Sequence, residues 1–359
     1  MPRTPPPEVI ASWPAPNFVN PETRGPVKDI VTITLWVIVT GILTLRIYTR
    51  RYISRRVGWD DVLVTASYVT ATAFLIVGII VEHGYGWAKH IWDIPVDDVV
   101  TGFQLALVSF SLFDFATTFT KLSVLALVYR LATPVSNRIR KFVIFLIVLN
   151  LLGMISYLVV LFTQCRPISD YWEIFKPADE RNCLNEGRGI LIAGTYNTAM
   201  DFILVILPMF VVLRSNTLPR RQMMVVMALF ATGWVACLAG IVRTYLMFIM
   251  TTSADFDMTW HSWISWLASA IELFLGIICV SIPATKPFFV RYVPRLFDSM
   301  SPRSNLETGT TKNAESENEV PIVFVKEIQT RPRLPPDLNK PLPPLANGIR
   351  DLKDKRRAG

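Results

Sequence analysis

Histidine and cysteine are scarce in this chain, at three and four of 359 residues. Four cysteines are too few for a secreted disulfide scaffold. His83, His90 and His261 map to the ends of apolar runs, and the stretch EHGYGWAKH at 82–90 lacks the i, i+4 pair of a helical metal site. No metal site is expected; interfacial or loop histidines are. The last apolar run, Ser262–Thr285, contains no lysine, so a retinal Schiff base at mid-depth is excluded. Lys286 follows Pro283 at the mouth of that run and is expected to snorkel towards lipid head groups. Neither a nucleophile–base pair nor a metal cluster can be assembled, so the expectation is no enzyme and no cofactor. The proline-rich first 28 residues lack the short apolar core of a cleavable signal peptide.

Apolar residues dominate instead, at 52% of the chain, with a mean hydropathy of +0.40. Runs long enough to cross a bilayer fall at about Ile30–Tyr48, Asp61–Val81, Val99–Arg130, Phe142–Gln164, Arg188–Leu213, Gln222–Met250 and Ser262–Thr285. The expected fold is all-α: a seven-transmembrane helix bundle with a disordered cytoplasmic C-terminal tail. Its parts are a short extracellular segment (1–28), the membrane domain (29–287) and the tail (288–359). The tail is mixed in charge and proline-rich, with two loose PxxP spacings at Pro332–Pro335 and Pro341–Pro344. A net charge of +8 raises the question of nucleic acid, but the bases sit in loops between apolar runs, so none is expected. They alternate along the chain: Arg50, Arg51, Arg55 and Arg56 in the first loop, Arg138, Arg140 and Lys141 in the third, Arg214, Arg220 and Arg221 in the fifth. Basic loops stay cytoplasmic, which puts the N-terminus outside and the C-terminus inside. The fourth loop, with Arg166, Lys176, Arg181 and Arg188, breaks this pattern. Trp87, Trp92, Trp172, Trp260 and Trp263 gather near the outer rim, as an interfacial belt would have them.

The third run is the post around which the others are expected to pack. Ser111, Asp114, Thr118 and Lys121 share one face of it. A charge at the bilayer centre costs roughly 2.5–3.5 kcal/mol, so that face must look at protein or a water-filled cavity. Other spans carry partners: Asn197 and Asp201 on the fifth, Arg243 beside a small-residue face of Gly233, Ala236 and Gly240 on the sixth, and Glu272 in a stripe with Ser265, Ser269, Gly276 and Cys279 on the seventh. Depth along the helices matches Arg243 with Glu272, and Lys121 with Asp201. Asp114 is left for a ligand, a proton or a polar neighbour. Asp114, Lys121, Asn197, Asp201, Arg243 and Glu272 are the ligand or proton candidates, with structural pairing and ligand contact both open for Arg243–Glu272. The small-residue face is expected to serve close helix packing. Cys165 and Cys183 share the fourth loop on the oxidising side, and a disulfide between them is expected, with two free thiols as the alternative. Cys237 and Cys279 lie within spans as small apolar fillers.

Seven ordered blocks then carry a resemblance: GWDD at 58–61, GYGWAKHIWDI at 84–94, TKLSVLALVYRL at 120–131, QCRPISDYW at 164–172 with Cys183, NTAMDFILVILPM at 197–209, the Gly233…Arg243 face, and IELFLGIICVSIPATKP at 271–287. From Val57 to Pro287 the chain resembles the fungal integral-membrane family filed under a "rhodopsin domain", which includes Pth-type receptor-like proteins and the satratoxin-cluster membrane protein. The resemblance implies seven spans, an extracellular N-terminus, a cysteine-bearing outer loop and a fungal plasma membrane. It does not imply retinal. Family-type residues stand at Asp60, Asp61, Lys121, Arg130, Cys165, Cys183, Asn197, Asp201, Pro208, Arg243 and Glu272.

Two functions follow. One is a receptor-like sensor of an extracellular small ligand, not identified by the sequence, with a G protein at the cytoplasmic loops near Tyr129 and Arg130. The other is a membrane carrier or accessory component of a secondary-metabolite pathway. The lipid bilayer is a partner in both.

Overall fold

A computed structural model describes residues 5–55, 57–132, 137–177, 180–213 and 220–292. A short helix, α1 (Pro7–Ser12), precedes seven long ones: α2 (Val27–Tyr48), α3 (Trp59–Tyr85), α4 (Val96–Ala132), α5 (Asn137–Thr163), α6 (Glu186–Leu213), α7 (Arg220–Thr252) and α8 (Met258–Tyr292). All seven, α2 to α8, contain stretches long and apolar enough to span a membrane. The fold is the all-α seven-helix bundle that the apolar runs predict, and the protein is a multi-pass membrane protein.

Each helix extends past its apolar run, because backbone hydrogen bonding does not stop where hydrophobicity does. The last turn of α2 widens into a π-helical stretch, Thr49–Ile53. The α3 helix ends on Gly86, whose φ of +72° is the left-handed cap that glycine adopts without strain. The α8 helix runs through Pro283 and Pro287 to Tyr292, beyond the expected boundary at 287. The rest of the expected tail lies outside the described residues, as do Arg56 and Arg214. The α2 helix starts at Val27 rather than Asp29, and the segment before it is tied down. The Trp13 indole donates to the Asp255 carbonyl at 3.2 Å, and the Asn17 backbone N–H donates to Asp93 at 2.9 Å.

The α4 helix is the post of the bundle, touching α3, α5, α6 and α8. Its inward side is closely buried, with Ala116, Ser123 and Leu125 at 0% exposure. Hydroxyl groups tie it to α3, where Ser67 donates to the Ala116 carbonyl at 2.9 Å and shares a 2.6 Å bond with Thr120. Such polar contacts hold helices together where lipid offers no hydrophobic contrast. The small-residue face of α7 packs close as expected: Gly233 faces Val205 of α6, and Gly240 faces Thr198 and Glu272.

One tryptophan of the expected belt, Trp87, sits elsewhere. Trp87 is buried among Phe103 and Trp266 in the core at the α3–α4 turn, because the Gly86 cap folds the chain back over the bundle. Trp92 and Trp260 stack on the two faces of His90, with ring centroids 4.6 and 4.0 Å away. The irregular fourth loop also finds its reason. Two of its bases do structural work at Asp170: Lys176 pairs with the carboxylate at 3.1 Å, and the buried Arg181 donates to the Asp170 carbonyl.

Candidate functional site

The helices bring four intramembrane charges together. Arg243 Nε donates to Glu272 Oε2 at 2.7 Å, and Lys121 Nζ lies 3.3 Å from Asp201 Oδ1. Asn197 sits between the pairs. Its Oδ1 accepts from Lys121 Nζ at 2.6 Å, while its Nδ2 donates to Glu272 Oε1 at 2.8 Å and to Asp201 Oδ2 at 3.3 Å. The amide can take only this orientation, since a flip would set its NH2 against an ammonium and its oxygen against carboxylates. The backbone carbonyl of Asn197 also accepts from Lys121, at 3.0 Å. Two cations and two anions from α4, α6, α7 and α8 thus form one neutral junction. Each charge has a partner, which a low-dielectric interior requires. Spacing places Asn197 and Asp201 one turn apart on α6. The contacts between helices come from the fold.

Asp114 stands apart. No hydrogen bond reaches its buried Oδ2, and among the described residues no ion pair includes it. It lines a cavity of about 350 Å³ whose floor includes Asn197 and Arg243. Tyr157 and Val160 of α5, Ile190 and Ala193 of α6, and Trp266 of α8 supply much of the wall. A volume in this range suits one small ligand, and mostly apolar walls with a few convergent polar groups are the usual composition of a binding site.

A loop roofs the cavity. Cys165 and Cys183 form a disulfide, flanked by hydrogen bonds from Arg166 N–H to Asn182 O at 2.9 Å and from Leu184 N–H to Gln164 O at 2.7 Å. The loop lowers Tyr171 and Leu184 into the cavity wall. The Asp170 carboxyl braces the loop from within. The Lys176 ammonium hydrogen-bonded to that carboxyl, with the Asn182 N–H and Arg181 nearby, keeps its pKa below the usual carboxylate value.

Two clusters lie beyond what the sequence argument singled out. At the end opposite the disulfide, Arg46 is fully buried and donates to Asp61 at 2.9 Å, to Asp60 at 2.8 Å and to the Val280 carbonyl at 2.5 Å. Arg50 adds a 3.1 Å contact to Asp60, so it is a structural partner as well as a loop base. The signal was present: Arg46 falls inside the first apolar run. At the disulfide end lie the three histidines. Each meets an acid: His83 with Asp29 at 2.7 Å, His90 with Asp257 at 2.5 Å and His261 with Asp255 at 2.9 Å. No periodicity could show a contact between residues 90 and 257. Among the described residues no cluster of three metal-binding side chains occurs. The side chains of Pro208 and Lys286 lie outside the described set.

Fold and cavity define a seven-span membrane protein with a roofed, ligand-sized chamber ending on a buried charge junction. The fungal rhodopsin domain matches residues 45–291, well over half the chain, and the protein belongs to that family. It is 25% identical over 276 residues to the wortmanamides biosynthesis cluster protein C of Talaromyces wortmannii, covering 76% of this chain and 73% of that one. It is 24% identical to the receptor GIN3 of Arthrobotrys oligospora, over 76% of this chain and 64% of the receptor. The fugralins biosynthesis cluster protein 2 of Gibberella zeae is 22% identical, over 81% and 74% of the two chains. The chain therefore spans about three quarters of the two cluster proteins and just under two thirds of the receptor. No solved structure matches it significantly.

Proposed function

We propose that the protein is a non-enzymatic, receptor-like sensor whose small ligand occupies the chamber beneath the disulfide-bonded loop. One observation carries this reading: the chamber floor is the charge junction itself, since Asn197 and Arg243 both line it. A ligand there touches groups that join α4, α6, α7 and α8, and so can bind two helix arrangements with different affinity. Without such a difference no ligand can switch anything. Below the floor the described side chains close up, first at the Lys121–Asp201 pair, then at the packed cluster of Leu125, Val128, Met200, Leu204 and Leu207. A chamber closed below by these described side chains suits sensing better than passage. The receptor among the relatives supports the same reading.

In this proposal the disulfide loop faces outward, and the α2–α3 and α4–α5 connections, with Arg50 and the first turn of α5 carrying Arg138 and Arg140, face the cytosol at the plasma membrane. A G protein is the partner there. The alternative, a carrier or accessory component of a metabolite pathway, draws its support from the two relatives named for biosynthesis clusters. A proximity-labelling enzyme fused after the last span discriminates. The sensor reading expects G-protein α subunits enriched over an unrelated seven-span control. Absence of enrichment, with accumulation of a pathway metabolite depending on the protein, favours the alternative.

A further inference from the structure

We propose that the chamber is built for an apolar ligand carrying one protonated amine, seated on Asp114. The inference rests on the ligand-sensing reading above and adds the chemistry of the occupant. Charge balance leads to it. Lys121 and Arg243 are matched by Asp201 and Glu272, which leaves the Asp114 carboxyl as the odd acid of the chamber. Its Oδ2 is shielded from solvent and has no hydrogen-bond partner. Ser109, only 1% exposed, lines the same chamber with a hydroxyl that also lacks a partner. An ammonium has three donors and no acceptor, so it satisfies the unpartnered Asp114 oxygen and cancels the unmatched charge.

The walls fit the remainder of such a molecule. Phe74, Phe110, Phe113, Tyr157 and Trp266 line the chamber, offering an apolar body its burial and a cation the faces of aromatic rings. An anionic ligand is disfavoured. Arg243 is already held by Glu272, and its guanidinium lies 4.6 Å from the Phe113 ring centroid. Arg188, the other cation of the lining, is exposed, so solvent can serve its charge without a ligand. The roof adds Gln164, whose Nε2 is buried without a partner and can serve a carbonyl or ether oxygen on the body.

The test uses the full chain in lipid nanodiscs and three probes sharing one body: 2-(1-naphthyl)ethylamine, 2-(1-naphthyl)ethanol and 1-naphthylacetate. Affinity is read from the shift in melting temperature with probe concentration. The amine should bind at least about tenfold tighter than the alcohol, the margin of one charge-assisted contact. Asp114→Asn should erase that margin, and Asp114→Glu should keep it. An alcohol or carboxylate binding as tightly as the amine overturns the proposal, as does an unchanged preference in Asp114→Asn. Should Asp114→Asn fail to fold, the probe series on the unaltered chain decides alone. Equal binding of all three, lost in Ala193→Phe, would sink the amine and leave the chamber as a ligand site. No binding by folded protein would remove both.

Discussion

At the scale of single residues, the account turns on Asn197. Among the described residues it is the one neutral group that touches both ion pairs, and its amide lets each carboxylate and the ammonium keep a second partner. Buried pairs are weak sources of stability when intact and costly when broken, because the remaining charge has nowhere to go. Arg243→Ala should therefore lower stability by about 3–5 kcal/mol, measured by denaturant unfolding of the purified protein. Replacing both members, Arg243→Met with Glu272→Met, should cost less than the sum of the single changes by about 1–3 kcal/mol. Strict additivity would show that the pair does not couple. The residue types of this junction were legible in the chain, because an acid or base inside an apolar run must face the bundle interior. The matching of depth along α7 and α8 even placed Arg243 against Glu272. The bridging role of Asn197 was not legible. It depends on helix rotations that spacing alone does not set, and so did the pairing of His90 with Asp257 across the disulfide end.

At the scale of elements, the seam between α5 and α6 decides how the chamber is walled. The two helices meet where Tyr196 donates to the Leu149 carbonyl at 2.9 Å and its ring lies over Gly153. A β-carbon at Gly153 would come within 2.4 Å of the Tyr196 hydroxyl oxygen. Gly153→Ala should thus destabilise the protein by about 1–3 kcal/mol, and Tyr196→Ala in the same chain should recover part of the loss. Melting of the single and double variants checks this, and a neutral Gly153→Ala would contradict it. The roof loop answers to pH through Asp170. A carboxyl whose folded pKa is depressed adds stability that is full above its unfolded value, about 3.9, and is lost as pH falls through the lower folded value. Proteolysis at 166–183 should accelerate in the disulfide-intact protein only below about pH 4, and Asp170→Asn should make it fast and flat with pH. Apolar length revealed the spans themselves. It could not show their ends, since α3 stops at a glycine cap and α8 continues through two prolines, both matters of backbone rather than hydropathy.

At the scale of the whole molecule, three layers stack along the bundle: histidine–acid pairs and a disulfide-bonded roof at one end, the chamber with its junction in the middle, and the Arg46–Asp60–Asp61 cluster at the other. Removing Arg46 would leave two buried acids with Arg50 alone where α2, α3 and α8 converge, so Arg46→Ala should unfold or fail to accumulate, whereas Arg51→Ala, at an exposed base, should accumulate normally. Comparable yields of the two would mean that the buried cluster is dispensable. The claim on which the sensing account rests is that the chamber opens to the outside, under the disulfide loop. A single reporter at Ala193, a chamber-wall residue, tests it, with Ala193→Cys placed in a chain where Cys237 and Cys279 are alanine. A membrane-impermeant maleimide should modify it in intact cells, and 2-(1-naphthyl)ethylamine should protect it, while Lys141→Cys in the same background should react only after permeabilisation. Reaction of Lys141→Cys in intact cells, with Ala193→Cys reacting only once they are opened, would contradict the account.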